Sequence, residues 1–257
     1  MRWRRDTTFR HRGDVLRVRR PPGDSATGPQ FVLVHGIGAS SRYFTRLARA
    51  LAPSGAVHVL ELPGFGWSPR PRGVALSVEE HAAVVNAWVR SAGLARPVMV
   101  GHSMGVQVVV EAALQDPDLH VAAVGIGGVV DPSARTALRQ GLRLARDMVR
   151  EPPVTNWAVL SAYLLAGPRR YLRTVPVMLG YRLEDALPRL RVPLLLVRGS
   201  RDPIVPGPWA EQQRRLAPSA GLVEVPGAAH VVMHTHPDQV ARAISAHALQ
   251  AVGRGPV

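Results

Sequence analysis

The chain contains no cysteine and no lysine. Without cysteine there is no disulfide framework, no thiolate nucleophile and no cysteine-based zinc site, and the redox compartment stays open. Without lysine, all 32 basic residues are arginine, set against 18 Asp and Glu for a formal net charge of +14. No nucleic-acid motif accompanies that charge, so the arginines read as scattered over a solvated surface and no nucleic-acid partner is expected. Long apolar runs are also missing: none approaches the roughly 18 residues of a membrane span. The basic start, Met1 to Asp6, is followed by no apolar h-region, so neither a transmembrane segment nor an export signal is expected, and a cytoplasmic location is the default.

What is present is a chain of 257 residues, 46% apolar, long enough to bury one large core. Short Val- and Leu-rich runs read as strands covered on both faces: Phe31–Val34, Val57–Leu60, Val98–Val100, Val121–Val124, Leu194–Val197 and Leu222–Val225. Helical patterns lie between them, at Phe44–Leu51, Val78–Ala92, Val106–Gln115, Trp209–Leu216 and Pro237–Val252. This alternation predicts an α/β fold with a mostly parallel central sheet flanked by helices. Trp3 to Arg20, with a turn at Arg12-Gly13-Asp14, reads as an antiparallel hairpin at the sheet edge, which brings the total to about eight strands.

The alternation stops between Asp131 and Arg191, where the pattern is helical. We therefore expect core from 1–130 and 192–257, with residues 131–191 inserted as a helical cap, one structural domain plus lid. Leu138, Leu142, Ala145 and Val149 form an apolar stripe at helical spacing, flanked by Arg135, Arg139, Arg143, Arg146 and Arg150. The arginines read as a solvated helix face, or as a lid edge that meets anionic substrate or membrane headgroups.

The segment Val98 to Val106 runs from a strand through Gly101-His102-Ser103-Met104-Gly105 into a helix. A G-x-S-x-G turn in that context holds the serine in a strained conformation and lifts its hydroxyl clear of the sheet, which makes Ser103 the candidate nucleophile. Serine needs a base, and the base needs a group to hold its tautomer. His230 follows the strand that ends at Val225, and Asp202 follows the strand that ends at Val197, so both come to the sheet edge that carries Ser103. Asp131 also follows a strand end and is the alternative acid. The backbone N–H groups of Ile37, in His35-Gly36-Ile37-Gly38, and Met104 are the candidate oxyanion hole. His35 and His102 are expected to be structural. His234 and His236 are near His230 in the chain, but no Cys or carboxylate is spaced with them, so no metal is expected. Trp157, Tyr163, Leu164, Met178 and Leu179 are candidate pocket lining within the insertion.

These segments, in this order, resemble the α/β-hydrolase family, in the branch with an HGxG oxyanion turn and a helical cap. Leu62-Pro63-Gly64-Phe65-Gly66-Trp67-Ser68 looks like that family's loop after its fourth strand, and Leu187 to Pro193 like its return from cap to core. Departures are Val106 in place of a frequent glycine, Glu61 in place of Asp, Ala229 in place of Gly and Thr235 in place of Glu. The resemblance implies a hydrolase that needs no cofactor and acts on a small-molecule ester through an acyl-enzyme. Alternatives are carbon–carbon bond or thioester hydrolysis, or cofactor-free haloperoxidase or perhydrolase chemistry, by the same triad. A basic nucleic-acid- or lipid-binding module is a further one. Val231, where ring-cleavage-product hydrolases often carry Trp, weakens the carbon–carbon reading, and Ser103 argues against the dehalogenases and epoxide hydrolases that use Asp.

Overall fold

The computed structural model describes residues 3, 5–25, 27–69, 75–151, 157 and 167–253. The apolar runs form strands β3 (Gln30–Val34), β4 (Ala56–Glu61), β5 (Val98–His102), β6 (Ala122–Ile126), β7 (Leu194–Gly199) and β8 (Ala220–Val225). The N-terminal hairpin is β1 (Arg5–His11) and β2 (Asp14–Arg20). The eight strands make one sheet in the order β1-β2-β4-β3-β5-β6-β7-β8, in which β2 pairs antiparallel with both β1 and β4 and the strands from β4 to β8 pair parallel.

Successive side chains of a strand point to opposite faces, and the two faces here bury separate clusters. Val32 and Val34 join Trp88, Val109 and Trp209 on one side. Phe31 and Leu33 join Phe44, Leu47 and Ile244 on the other. Helices α1 (Thr45–Leu51), α2 (Val78–Ser91), α3 (Met104–Gln115), α7 (Gly207–Leu216) and α9 (Pro237–Gly253) supply these layers. The start of α2 is a complete capping box: Ser77 Oγ accepts from Glu80 N–H while the Glu80 carboxylate accepts from Ser77 N–H. Four-residue α8 (Val232–Thr235) precedes α9.

Between β6 and β7 lie α4 (Ala137–Met148), α5 (Pro168–Gly180) and four-residue α6 (Leu183–Ala186). Arg135 anchors this region, donating to the Leu179 and Tyr181 carbonyls and to both Glu184 oxygens. Gln107 of α3 donates to the Met178 carbonyl, and Arg170 of α5 lies over the Phe65 ring and reaches the Pro63 carbonyl. Among the described residues no helix is long and apolar enough to cross a membrane.

β4 and β5 lie on opposite sides of β3, so the chain reverses direction across the sheet there. The carboxyl ends of β3 and β5 thus border the crevice where open α/β sheets collect ligands.

Candidate active site

Ser103 lies between β5 and α3, capping the helix, with φ 54° and ψ −121°, a conformation strained for any side-chain-bearing residue. Its N–H donates to the Ile126 carbonyl of β6, which fixes the turn from below. The flanking glycines are required by contact. A Cβ on Gly101 would lie 2.3 Å from the Gly105 carbonyl oxygen, and one on Gly105 would lie 2.2 Å from that of Val34. Gly36 presses on Ser103 directly, since its own Cβ would fall 2.9 Å from that of the serine. Val106 is accommodated by Gly125 in β6, where any Cβ would meet Val106 Cγ1 at 3.0 Å.

His230 and Asp202 come together in the loops after β8 and β7. Nδ1–H of His230 donates to Asp202 Oδ2 at 2.8 Å, and Asp202 Oδ1 accepts from the N–H groups of Ile204 and Val205. The residue opposite must be small: Gly127 has φ +57°, and a Cβ there would lie 2.9 Å from His230 Cε1. Burial alone pushes the Asp202 carboxyl up, but His230 and the two N–H donors hold it below its ordinary value. Burial alone pushes His230 down; Asp202, Asp147 and Glu151 outweigh it and raise His230 to about 9.

Asp131 is engaged elsewhere. It accepts from Ser133 N–H and Oγ–H and pairs with Arg143 at 2.8 Å, and these partners, against the effect of burial, hold its pKa below the usual value.

His35 and His102 tie neighbouring loops together. His35 Nδ1–H donates to the Gly36 carbonyl while Nε2 accepts from Leu62 N–H. His102 accepts at Nδ1 from the Tyr43 hydroxyl and donates from Nε2 to the His230 carbonyl, with its ring 4.7 Å from that of His230. Burial pushes both imidazoles below their ordinary value. Glu61 is fully buried; it accepts from Ser41 N–H and Oγ–H and from Trp67 N–H. Among the described residues no three His, Cys, Asp or Glu side chains are grouped to hold a metal.

Ser103, His230 and Ile37 border one cavity of about 300 Å³, roofed by α4 and α5. Met104, fully buried, is the first residue of α3, where a helix leaves its N–H groups without intrahelical acceptors. Met178 lines the cavity; Leu179 packs partly buried against the core, and Trp157 is 69% exposed. Tyr163 and Leu164 lie outside the described residues.

Two groups were not singled out from the sequence. Asp147 and Glu151, one helical turn apart, are buried at the cavity wall and accept from the backbone N–H groups of His230 and Val231. Burial raises both carboxyls, Glu151 to about 7. The available signal was isolation: they are the only carboxylates between Asp131 and Glu184, in a stretch otherwise rich in arginine.

With sheet, turn and cavity in this arrangement, the comparisons fall on one class. Residues 31–243 match the model of the alpha/beta hydrolase family, and the chain belongs to that family. It is 27% identical to the 2-(acetamidomethylene)succinate hydrolase of Mesorhizobium japonicum, over 93% of this chain and 95% of that one. It is 29% identical to the pimeloyl-[acyl-carrier protein] methyl ester esterase of Vibrio cholerae serotype O1, over 76% and 84% respectively. A thermophilic esterase from Thermogutta terrifontis, solved with malate bound, superposes with a TM-score of 0.80 at 22% identity, covering 96% of this chain and 99% of that one. The protein is thus a hydrolase of this superfamily, with esterases among its relatives.

Proposed function

We propose that the protein hydrolyses carboxylic esters of small molecules through an acyl-enzyme on Ser103. The observation that carries this reading is His230, hydrogen-bonded to Asp202 at 2.8 Å and bordering the cavity that the strained Ser103 also lines. With Nδ1–H held by Asp202, His230 offers Nε2 as the base. Ser103 Oγ attacks the ester carbonyl and its proton passes to Nε2. The oxyanion forms against the N–H groups of Ile37 and Met104, aided by the positive end of α3. Collapse expels the alcohol, which takes the proton from His230. Water, deprotonated by the same imidazole, then attacks the acyl-enzyme and releases the acid.

Ile37, Val129, Leu144, Val175, Met178 and Ile204 give the cavity apolar walls, and its size fits a short acyl group. Asp147 and Glu151 add negative charge, so above pH 7 neutral esters are preferred over esters that carry a free carboxylate.

Purified protein is expected to hydrolyse short p-nitrophenyl esters, and Ser103→Ala to abolish this with the thermal transition retained. Activity persisting in that variant would overturn the mechanism. A panel that adds thioester and vinylogous diketone substrates separates ester cleavage from thioester or carbon–carbon bond hydrolysis.

A further inference from the structure

The apolar stripe of α4 faces solvent. Leu138 is 74% exposed, Leu142 63% and Val149 87%, while the opposite side of the helix turns Gln140 and Asp147 into the cavity. An amphipathic helix ordinarily buries its apolar stripe, because each exposed leucine forgoes roughly 1.5–3 kcal/mol of burial. The inversion continues on α5, where Leu172 is 67% exposed beside exposed Arg169 and Arg173. Leu172 and the exposed Met148 also border the cavity, so the apolar surface is continuous with the cavity lining.

The charge around this surface has one sign. Arg139 and Arg146 stand exposed along the α4 stripe. The carboxylates of the region, Asp147 and Glu151, are buried, and α5 has none. The arginines that form ion pairs here, Arg135 with Glu184 and Arg143 with Asp131, are only partly exposed.

We propose that the outer faces of α4 and α5 dock on the surface of an anionic lipid bilayer, with Leu138, Leu142, Val149 and Leu172 entering the acyl boundary and the exposed arginines meeting the headgroups. Apolar residues set beside a cationic flank are the pattern of helices that lie in a membrane interface, and each arginine near a negatively charged leaflet adds to the attraction. A second copy of the chain is a poorer fit, since pairing two such faces brings like-charged arginines together on molecules that each carry +14. Docking here turns the mouth of the cavity toward the lipid. It does not depend on the chemistry proposed for Ser103.

The test is co-sedimentation with vesicles of equimolar phosphatidylglycerol and phosphatidylcholine, against phosphatidylcholine alone, with light scattering on the protein by itself. Wild type is expected to partition onto the anionic vesicles and to be released by high salt. Leu138→Glu/Leu142→Glu/Val149→Glu is expected to weaken partitioning at least roughly tenfold, with the thermal transition and hydrolysis of a soluble ester retained. Arg146→Glu/Arg173→Glu is expected to weaken it too, and Ser103→Ala to bind as wild type. Failure of wild type to bind anionic vesicles would overturn the proposal. So would undiminished binding by the triple variant, or a wild-type dimer that the triple variant converts to monomer, which assigns the face to a second copy.

Discussion

Three carboxylates act on His230: Asp202 at its ring, and Asp147 and Glu151 at the backbone of its loop. Together they raise the imidazole from 6.5 to about 9. In the proposed mechanism only the neutral ring accepts the proton of Ser103, so activity is full above the His230 pKa and is lost as pH falls through it. The acidic limb of kcat/KM on a neutral ester is accordingly expected above 6.5, displaced toward 9. Asp147→Asn and Glu151→Gln, which keep an oxygen acceptor for the loop, should move that limb down; an unmoved limb would show that these groups do not tune the base. Asp202→Asn removes the group that fixes the tautomer and should lower kcat by roughly 10³–10⁴-fold. Asp131→Asn, acting on a carboxylate held by Ser133 and Arg143, should leave kcat nearly unchanged and lower the melting temperature instead.

At the scale of elements, the turn from β5 to α3 tolerates no added atom. Gly105→Ala sets a methyl group against the Val34 carbonyl and should cost about 1–3 kcal/mol in denaturant unfolding, with activity falling as Ser103 shifts. Ser77→Ala removes one half of the α2 capping box and should cost about 1 kcal/mol without affecting kcat. The strands were legible because buried parallel strands leave continuous Val and Leu runs, while their ends were not: the apolar runs stop two residues short of His102 in β5, Ile126 in β6 and Gly199 in β7, and start two residues late at Ala220 in β8, where Gly and polar residues continue the ladder. The turn around Ser103 was legible because its glycines are demanded by backbone contacts. Helix α4 was legible only in part. Periodicity shows that Leu138, Leu142 and Val149 share a face, and that Gln140 and Asp147 share another. Which face turns inward is set by the partners waiting there, the His230 N–H among them, and a single sequence does not display those partners. The choice between Asp202 and Asp131 had the same origin, since both follow strand ends and the packing of the loops brings one of them to His230.

Across the whole molecule, several histidines are buried as neutral rings. Burial lowers His58 and His120 to about 4 and His81 to about 3, and holds His35 and His102 below the ordinary value. The unfolded chain takes up protons at these sites first, so their contribution to stability is present above 6.5 and is lost as pH falls toward the folded values, at up to about 1.4 kcal/mol per pH unit for each. His230 works in the opposite sense: its raised pKa adds stability that is complete below 6.5 and is lost as pH rises through about 9. A melting temperature that falls steeply between pH 6.5 and 4 is expected, and a flat profile there would contradict the neutral burial of these rings. The sheet, the strained turn and the buried His–Asp pair support the central proposal, that Ser103 is acylated. The direct measurement is mass spectrometry of the protein treated with a fluorophosphonate. A single adduct on the peptide containing Ser103, slowed in His230→Ala and absent in Ser103→Ala, is the predicted result; an adduct elsewhere, or full ester turnover after complete labelling, would contradict it.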